Sequence, residues 1–263
     1  MSPDGDTPVR VRRAPPPFRK VEVRETERVS ARMTRVVLVG PELEGFAVPE
    51  PAASVRLLLP SRAAELVLPE WNGNEFLLPG GRRPVIRTFT PQPLEAQTLR
   101  LDIVTHGSGA ASDWVQSARP GAAAALSGPG RGYTVGETVR ELLIGGDETA
   151  VPAIRQVLDA IPAAGKARVH IEIADPEART DLAARAQTPV TWHLLGADAV
   201  PGDALFEAIA AEEISSESSV WIAGEAAGVQ RIRKHLFGER GIPRGRTTIR
   251  GYWKQGREGG GTE

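Results

Sequence analysis

A short segment in the first half of the chain combines three side chains that can bind a phosphorylated, aromatic cofactor. Arg87-Thr-Phe-Thr90 supplies a guanidinium, a ring and a hydroxyl. A guanidinium can hold two phosphate oxygens at once, while the ring can pack on a flat heterocycle. An ordinary strand with a surface arginine and a core phenylalanine fits the same residues, so this segment alone does not decide between the two interpretations.

A second segment, His106-Gly-Ser-Gly-Ala-Ala111, is built from small residues and runs into a predicted helix over 109–118. The first turn of a helix attracts phosphate because its amides are unpaired and the helix dipole favours anions. A tight turn with a helix cap has the same sequence features. We assign His106 to contact with a cofactor and not to proton transfer.

Carboxylates follow two predicted strands in the second half of the chain. Gly145-Gly-Asp-Glu-Thr149 joins an apolar strand to a helix, and Glu225 follows the strand Val220–Ala223. Parallel sheets bind ligands at the carboxyl ends of their strands, and the glycines would let a nicotinamide ring approach closely. The carboxylates can equally be helix caps. Two carboxylates that converge from the ends of separate strands are less expected if each one only caps a helix.

A basic segment lies near the end of the sequence. It has no acidic residue and contains Arg244, Arg246, Arg250, Lys254 and Arg257. The whole chain has a net charge of −1, so this is a local excess of positive charge. Such a segment can attract an anionic ligand, or it can protect the edge of a sheet from pairing.

The composition is that of a globular protein. The chain has 263 residues, of which 41% are hydrophobic, enough for one large domain or two of ordinary size. Lys plus Arg is 32 against 33 for Asp plus Glu, so global charge would not hold the chain on nucleic acid. No apolar run approaches the roughly 20 residues that span a bilayer, and no secretory signal is present. We expect a cytoplasmic protein without membrane insertion or a nucleic-acid partner.

Several kinds of catalytic site are absent from the sequence. The chain has no cysteine, which excludes disulfides, a thiolate nucleophile and an iron–sulfur cluster held by its own thiolates. Its histidines are far apart in sequence and show no metal-ligand spacing. There is also no nucleophile elbow and no Walker loop. We therefore expect no protein-bound metal.

Two types of secondary structure should position the candidate residues. Residues 1–17 are rich in proline and predict a flexible lead-in. From 18 to 135, short β runs such as Val36–Val39 and Val55–Leu59 are separated by proline and glycine, which predicts an antiparallel β-barrel. From 136 to 263, strands alternate with helices, which predicts a parallel sheet of the nucleotide-binding type.

One feature fits the parallel sheet poorly. The predicted strands at 169–173 and 190–194 alternate apolar and polar residues, whereas a central parallel strand is usually apolar throughout.

Taken in chain order, these segments resemble the siderophore-interacting protein family, whose members are FAD-dependent ferric-siderophore reductases. Arg87-Thr-Phe-Thr90 is similar to the family's Arg-x-Tyr-Thr flavin-binding strand. Gly146–Ile154 is similar to its Gly-Asp-Glu-Thr-Ala-x-Pro-Ala-Ile signature. Leu101–Gly107, Val220–Glu225 and Gly251-Tyr-Trp253 resemble further parts of it.

The resemblance covers about residues 18 to 257 and has two departures. Phe89 stands where the family usually has tyrosine, so the ring is kept and a hydroxyl is lost. Gln92 stands where the family often has a second arginine, so one cation for the pyrophosphate is missing.

The resemblance implies a ferredoxin-reductase-like flavoprotein that binds FAD and uses NADH or NADPH as co-substrate to reduce a ferric siderophore. Cofactor contacts are implied for Arg87, Phe89, Thr90, Val104, His106, Gly107, Gly109, Ala110, Ala111, Asp147, Glu148, Thr149, Ala150, Glu225 and Trp253. Ferric catecholates are anionic, so we expect Lys254, with Arg82 or Arg83, to contact the siderophore.

Other functions and details stay open from the sequence. The chain can be a reductase that passes electrons to a partner protein such as a ferredoxin, or a siderophore-binding protein without catalysis. Asp175 would favour NADH by accepting from a ribose hydroxyl, while Arg179 and Arg185 would hold the additional phosphate of NADPH.

Overall fold

The computed structural model describes residues 14–60, 65–92, 97–107, 109–182, 188–215 and 217–256. Most of the predicted lead-in therefore lies outside the described residues. Phe18 is already buried, against Phe76 and Leu58.

The first half forms an antiparallel sheet with one α-helix. Its elements are β1 (Arg19–Ser30), β2 (Met33–Val39), β3 (Val55–Leu59), β4 (Glu70–Trp71), β5 (Phe76–Leu77), β6 (Val85–Phe89), β7 (Pro91–Gln92), β8 (Thr98–Val104), α1 (Ala110–Ser117) and β9 (Ala123–Ser127). Seven strands pair in the order β6-β3-β9-β1-β2-β8-β7, and β4 pairs with β5 separately. The predicted strands at 36–39 and 55–59 and the predicted helix at 109–118 are confirmed.

The sheet closes on itself at Thr90. β6 and β7 occupy the two ends of the strand order, yet Thr90 is all that separates them in the chain. The two outer edges of the sheet therefore meet at this residue, which confirms the predicted barrel. Alternating side chains fill its interior, and Leu57, Leu99 and Leu101 are fully buried there.

The second half forms a five-stranded parallel sheet wrapped by helices. Its elements are β10 (Glu141–Asp147), α2 (Val151–Asp159), β11 (Lys166–Ile173), β12 (Val190–Leu194), α3 (Asp203–Ala211), β13 (Ser219–Glu225), α4 (Ala226–Lys234) and β14 (Thr247–Trp253). The strand order is β12-β11-β10-β13-β14. The order reverses between β10 and β13, where open α/β sheets bind ligands. No described helix is both long and apolar enough to cross a membrane.

Three of the polar residues that fit the parallel sheet poorly, His170, Glu172 and His193, have side-chain partners. β12 is an edge strand, so it is not buried on both faces. In β11, the Glu172 carboxylate accepts from the amides of Gly202 (2.7 Å) and Leu205 (3.0 Å) and so holds the start of α3. His170 contacts Glu212 at 2.8 Å beyond the end of the same helix. The alternation therefore reflects polar links between β11 and α3.

The two halves are joined by polar contacts. Arg32 of the loop after β1 forms an ion pair with Glu148 at 2.8 Å. Gln156 of α2 accepts from the Ala52 amide (2.9 Å) and donates to the Pro91 carbonyl. Met33 and Ala52 share a hydrophobic cluster with residues of α2 and β10, so apolar packing supports the same interface.

Candidate active site at the domain interface

The first part of the candidate site is the end of β6. Arg87 is half-buried, and its guanidinium donates to the carbonyl of Ile86 at 2.9 Å. Phe89 packs against the barrel core, and Thr90 is 7% exposed. The carbonyl of the next residue, Pro91, accepts from Gln156 of α2. The predicted flavin strand therefore ends in contact with the second domain.

The second part is the turn between β8 and α1. Val104 ends β8, and His106 and Gly107 are exposed in the turn. The His106 amide donates to Ser112 Oγ at 3.1 Å, which tethers the turn to the helix. Gly109 has a φ of 127° and precedes the first helical residue, Ala110.

A positive φ of this size suits glycine because glycine has no Cβ. Glycine also has no side chain that could accept a hydrogen bond from the first amides of the helix. The first-turn amides, including that of Ala111, therefore face the turn without a cap from Gly109.

The third part is the carboxyl edge of β10, where Asp147 is surrounded by donors. Asp147 Oδ1 accepts from the amide (2.9 Å) and hydroxyl (2.5 Å) of Thr149, and Oδ2 accepts from Trp253 Nε1 at 2.7 Å. Burial nevertheless raises the pKa of Asp147 above its ordinary value.

Gly224 is required by this arrangement. A Cβ on Gly224 would lie 2.8 Å from Asp147 Oδ2, so a side chain there would displace the carboxylate from Trp253. The sequence suggested that Gly145 and Gly146 let a nicotinamide ring approach closely. In the structure, added Cβ atoms on these glycines would meet Ile222 and Ala150 at 2.7 and 2.6 Å. Those two glycines serve close packing of the sheet against its helices.

Two of the predicted carboxylates have structural partners. Glu148 binds Arg32 and also accepts from the Ala174 amide at 2.7 Å. Glu225 accepts from Gly228 N at 2.8 Å as the N-cap of α4, and from Gln255 N at 3.2 Å. Both carboxylates are nearly buried. The structure thus brings Asp147, Thr149, Glu225 and Trp253 together and directs Glu148 towards the barrel. Ala150 is buried in the core at the start of α2.

The basic residues of the C-terminal segment and of the barrel differ in their exposure and in their partners. Lys254 is exposed immediately after Trp253, and Arg82 is exposed on the barrel. Arg83 pairs with Glu75 at 2.8 Å. Arg250 donates to the carbonyls of Ala52 and residues 131–132, so its charge supports the interface. Arg244 stacks on Phe237 at 4.7 Å, and Arg257 lies outside the described residues. Lys254 and Arg82 are therefore the exposed cations that we still expect to contact an anionic siderophore.

Sequence reasoning missed three residues of the interface: Arg32, Gln156 and Tyr252. The first two carry no motif, because their role depends on partners more than a hundred residues away. Tyr252 stands inside the Gly-Tyr-Trp segment, so the segment itself was the signal.

The residues at the end of β6 and at α1 fit a dinucleotide such as FAD. Gln92, two residues after Thr90, is 5% exposed, and its amide nitrogen has no hydrogen-bond partner among the residues that the structure describes. A buried donor without a partner is costly unless a ligand supplies one. Phe89 and the α1 amides add a ring surface and phosphate donors.

Comparison with known proteins agrees with this geometry. Residues 22–133 match the siderophore-interacting FAD-binding domain, and residues 139–256 match the siderophore-interacting protein model. Ferric vibriobactin reductase ViuB of Vibrio cholerae is 31% identical over 235 residues, which cover 87% of this chain and 86% of that protein. The NADPH-dependent ferric-chelate reductase of Escherichia coli is 29% identical over 240 residues, 90% of this chain and 92% of that protein.

A solved structure is similar over nearly the whole length. The siderophore utilization protein from T. fusca has a TM-score of 0.80 and 30% identity, covering 93% of this chain and 95% of that one. Since both halves match in order, the chain belongs to the siderophore-interacting protein family.

Proposed function

We propose that the chain is an NAD(P)H-dependent, FAD-containing reductase that releases iron from ferric siderophores by reducing it to the ferrous state. The observation that carries this proposal is the pair of hydrogen bonds from Gln156 of α2 to Ala52 and Pro91, because they join the end of the proposed flavin strand to the helix that follows the carboxyl edge of β10. An electron donor bound at that edge would lie beside a cofactor bound on the barrel. The names of the V. cholerae and E. coli relatives support the same reaction.

The residues divide into three groups. We propose that FAD is held by Arg87, Phe89, Thr90, Val104, His106, Gly107, Gly109, Ala110 and Ala111. We propose that the nicotinamide lies against Thr149 and Trp253, at the edge of the sheet that Asp147, Glu148, Ala150 and Glu225 help to build. The siderophore would be held by Lys254 with Arg82 or Arg83.

The protein contributes binding and orientation. Bound FAD would supply the redox chemistry that links hydride transfer from NAD(P)H to one-electron reduction of ferric iron. Arg87 and the α1 amides would neutralise the pyrophosphate, and Phe89 would cover the ring. Asp147 holds Trp253 at the edge of the cleft and orients Thr149. Ferrous iron is softer and is held less well by oxygen chelators, so reduction favours release.

The proposal includes the remaining assignments. We propose a division near residues 135 and 136 and a cytoplasmic location, where pyridine nucleotides are available. NADH and NADPH both stay candidates, and the name of the E. coli relative favours NADPH. Asp175 caps the turn after β11 by accepting from Glu177 N at 2.8 Å. A ferredoxin would be an additional partner and is not required for this reaction.

An absorption experiment tests the proposal. Protein reconstituted with FAD should be yellow, NAD(P)H should bleach it under anaerobic conditions, and a ferric catecholate should restore the colour while a ferrous chelator traps iron. Protein that binds the siderophore but takes up no FAD would contradict the proposal and favour a binding protein. Recovery of colour with a ferredoxin but not with the siderophore would favour a reductase of a protein partner.

A further inference from the structure

The helix N-termini at the carboxyl edge of the parallel sheet are occupied by carboxylates of the chain itself. Asp147 accepts from the amide of Thr149 at 2.9 Å just before α2, and Glu225 accepts from that of Gly228 at 2.8 Å in α4. Glu172 accepts from the first amides of α3. All three residues are at most 9% exposed. Dinucleotides commonly place their pyrophosphate on such amides, so the pyrophosphate of NAD(P)H would need another donor in this chain.

Arg32 of the barrel brings a cation to this edge. Its Nε donates to both carboxylate oxygens of Glu148, at 2.8 and 3.1 Å, and Glu148 also accepts from the Ala174 amide at 2.7 Å. Since these two residues directly follow β10 and β11, the guanidinium lies at the carboxyl ends of both strands. The Arg32 carbonyl accepts at 2.8 Å from the amide of Thr105, the residue before His106 of the proposed flavin turn. Arg32 therefore stands between the flavin turn and the nucleotide-binding edge.

The guanidinium of Arg32 is only partly used by the protein. Among the residues that the structure describes, only its Nε has a hydrogen-bond partner, and the side chain is 29% exposed. The donors on its two terminal nitrogens therefore remain for a ligand. Arg35 of β2 differs, because its Nε and Nη2 donate to Asp102 at 2.8 and 3.0 Å and its Nη1 lies 3.7 Å from Glu27. All three nitrogens of Arg35 thus face carboxylates of the barrel.

We propose that Arg32 binds the pyrophosphate of NAD(P)H through its two terminal nitrogens while Glu148 holds its Nε. This inference rests on the proposed function and adds a residue of the flavin domain to the nucleotide site. The planar fork of a guanidinium matches two phosphate oxygens. Because Glu148 fixes the guanidinium, the donors are oriented before the nucleotide binds. NADH and NADPH share the pyrophosphate, so Arg32 would contact both and would not select between them.

Calorimetric titration of FAD-reconstituted, full-length protein with oxidised nucleotides tests this proposal without any electron transfer. Arg32→Lys keeps a positive charge for Glu148 but lacks the fork. It should weaken the binding of NAD⁺, NADP⁺ and ADP-ribose by the same factor, about tenfold, the effect of one hydrogen bond to a charged group. ADP-ribose is included because it carries the pyrophosphate and no nicotinamide. The affinity for FAD should be unchanged.

Arg35→Lys is the matched control. It makes the same replacement at a barrel arginine that also holds a buried carboxylate, since Asp102 is 1% exposed. The control should leave all three nucleotide affinities unchanged. If Arg32→Lys does not fold, chemical modification of the wild-type protein carries the test. ADP-ribose should protect Arg32 from phenylglyoxal, as mapped by mass spectrometry, and equal modification with and without ADP-ribose would overturn the proposal.

The outcomes separate this inference from the proposed function. A wild-type protein whose bound flavin is not bleached by NAD(P)H would overturn both. Bleaching of the wild type together with unchanged nucleotide affinities in Arg32→Lys would overturn the role of Arg32 and leave the proposed function standing. A loss confined to NADP⁺ would also overturn the pyrophosphate assignment, because the contact would then be to the additional phosphate of NADP⁺.

Discussion

Asp147 illustrates how a residue in a sequence signature can act through its neighbours. Its carboxylate accepts from the amide and hydroxyl of Thr149 and from the indole of Trp253. These donors leave it little capacity for a ligand, so its work is to place an aromatic ring and a hydroxyl at the edge of the cleft. Gly224 is part of the same arrangement because its missing side chain makes room for the carboxylate.

At Arg87, we expect removal of the guanidinium to lower flavin occupancy without unfolding the chain. Arg87→Ala should weaken FAD binding about tenfold or more, because a charge-assisted hydrogen bond contributes roughly 1.5–3 kcal/mol. The measurement is the FAD-to-protein ratio after desalting. Arg56→Ala is the control, since Arg56 pairs with Thr88 and so lies on the other face of the sheet. Full occupancy in the folded Arg87 variant would contradict the assignment.

At Lys254, we expect charge reversal to affect the siderophore selectively. Lys254→Glu should raise the KM for an anionic ferric siderophore, and more at low salt, because exposed charges are screened at high salt. The KM for the pyridine nucleotide should barely change. Lys234→Glu makes the same charge change on an exposed residue at the far end of α4. A rise in the nucleotide KM alone would place the siderophore elsewhere.

At the scale of elements, two histidines far apart in sequence meet in the parallel sheet. His170 Nδ1 of β11 lies 2.9 Å from His193 Nε2 of β12, and His170 Nε2 lies 2.8 Å from Glu212. Arg168 also pairs with Glu212 at 2.8 Å. Burial and the charge of His170 lower the pKa of His193. This cluster links the edge strand to the end of α3.

The histidine pair should make stability depend on pH. His193 has a folded pKa below its ordinary value of 6.5, so the unfolded chain binds a proton that the folded chain resists. The stabilisation is present above pH 6.5 and is lost as pH falls below it. His193→Gln should flatten the urea-unfolding free energy between about pH 5 and 7.

His235→Gln is the comparison variant, because His235 faces Glu239 and not a second imidazole. An unchanged pH slope in His193→Gln would show that the pair does not carry the effect.

The sequence predicted the elements whose pattern is local. The barrel strands and the run from β10 into α2 follow from periodicity and capping residues. α3 was not predicted, because its position depends on Glu172 of β11, which holds its first amides. The Asp147–Trp253 and Ala52–Gln156 contacts join residues more than a hundred positions apart, and no local pattern encodes them. The family signature located these residues without indicating which partner each one has.

At the scale of the whole molecule, ion pairs join the two halves around a shared apolar cluster. Glu148 is 8% exposed and pairs with Arg32, while Asp102 is 1% exposed and pairs with Arg35 at 2.8 Å and Arg155 of α2 at 3.7 Å. Buried carboxylates need such partners because an unpaired buried charge is costly. The interface therefore combines apolar packing with ion pairs that require a defined arrangement of the two halves.

We expect the Arg32–Glu148 pair to be important for stability. Arg32→Ala leaves Glu148 buried without its cation and should lower the free energy of unfolding by about 3 kcal/mol. Arg24→Ala is the control, because the Arg24–Glu25 pair is 52% and 58% exposed. An exposed pair of this kind contributes less than about 1 kcal/mol. Equal losses in urea titrations of the two variants would contradict a specific role for the interface pair.

The position of β14 as the last strand in the chain also has a consequence for biosynthesis. Translation supplies β6 and Thr90 early, while Tyr252 and Trp253 follow the other strands of the parallel sheet. Domains generally fold as units, the N-terminal one first. The nascent barrel therefore presents the end of β6 to the cell before Gln156 of α2 and Arg250 of β14, which contact the barrel at Pro91 and Ala52, have been made. These contacts are complete only when the last strand of the parallel sheet is in place.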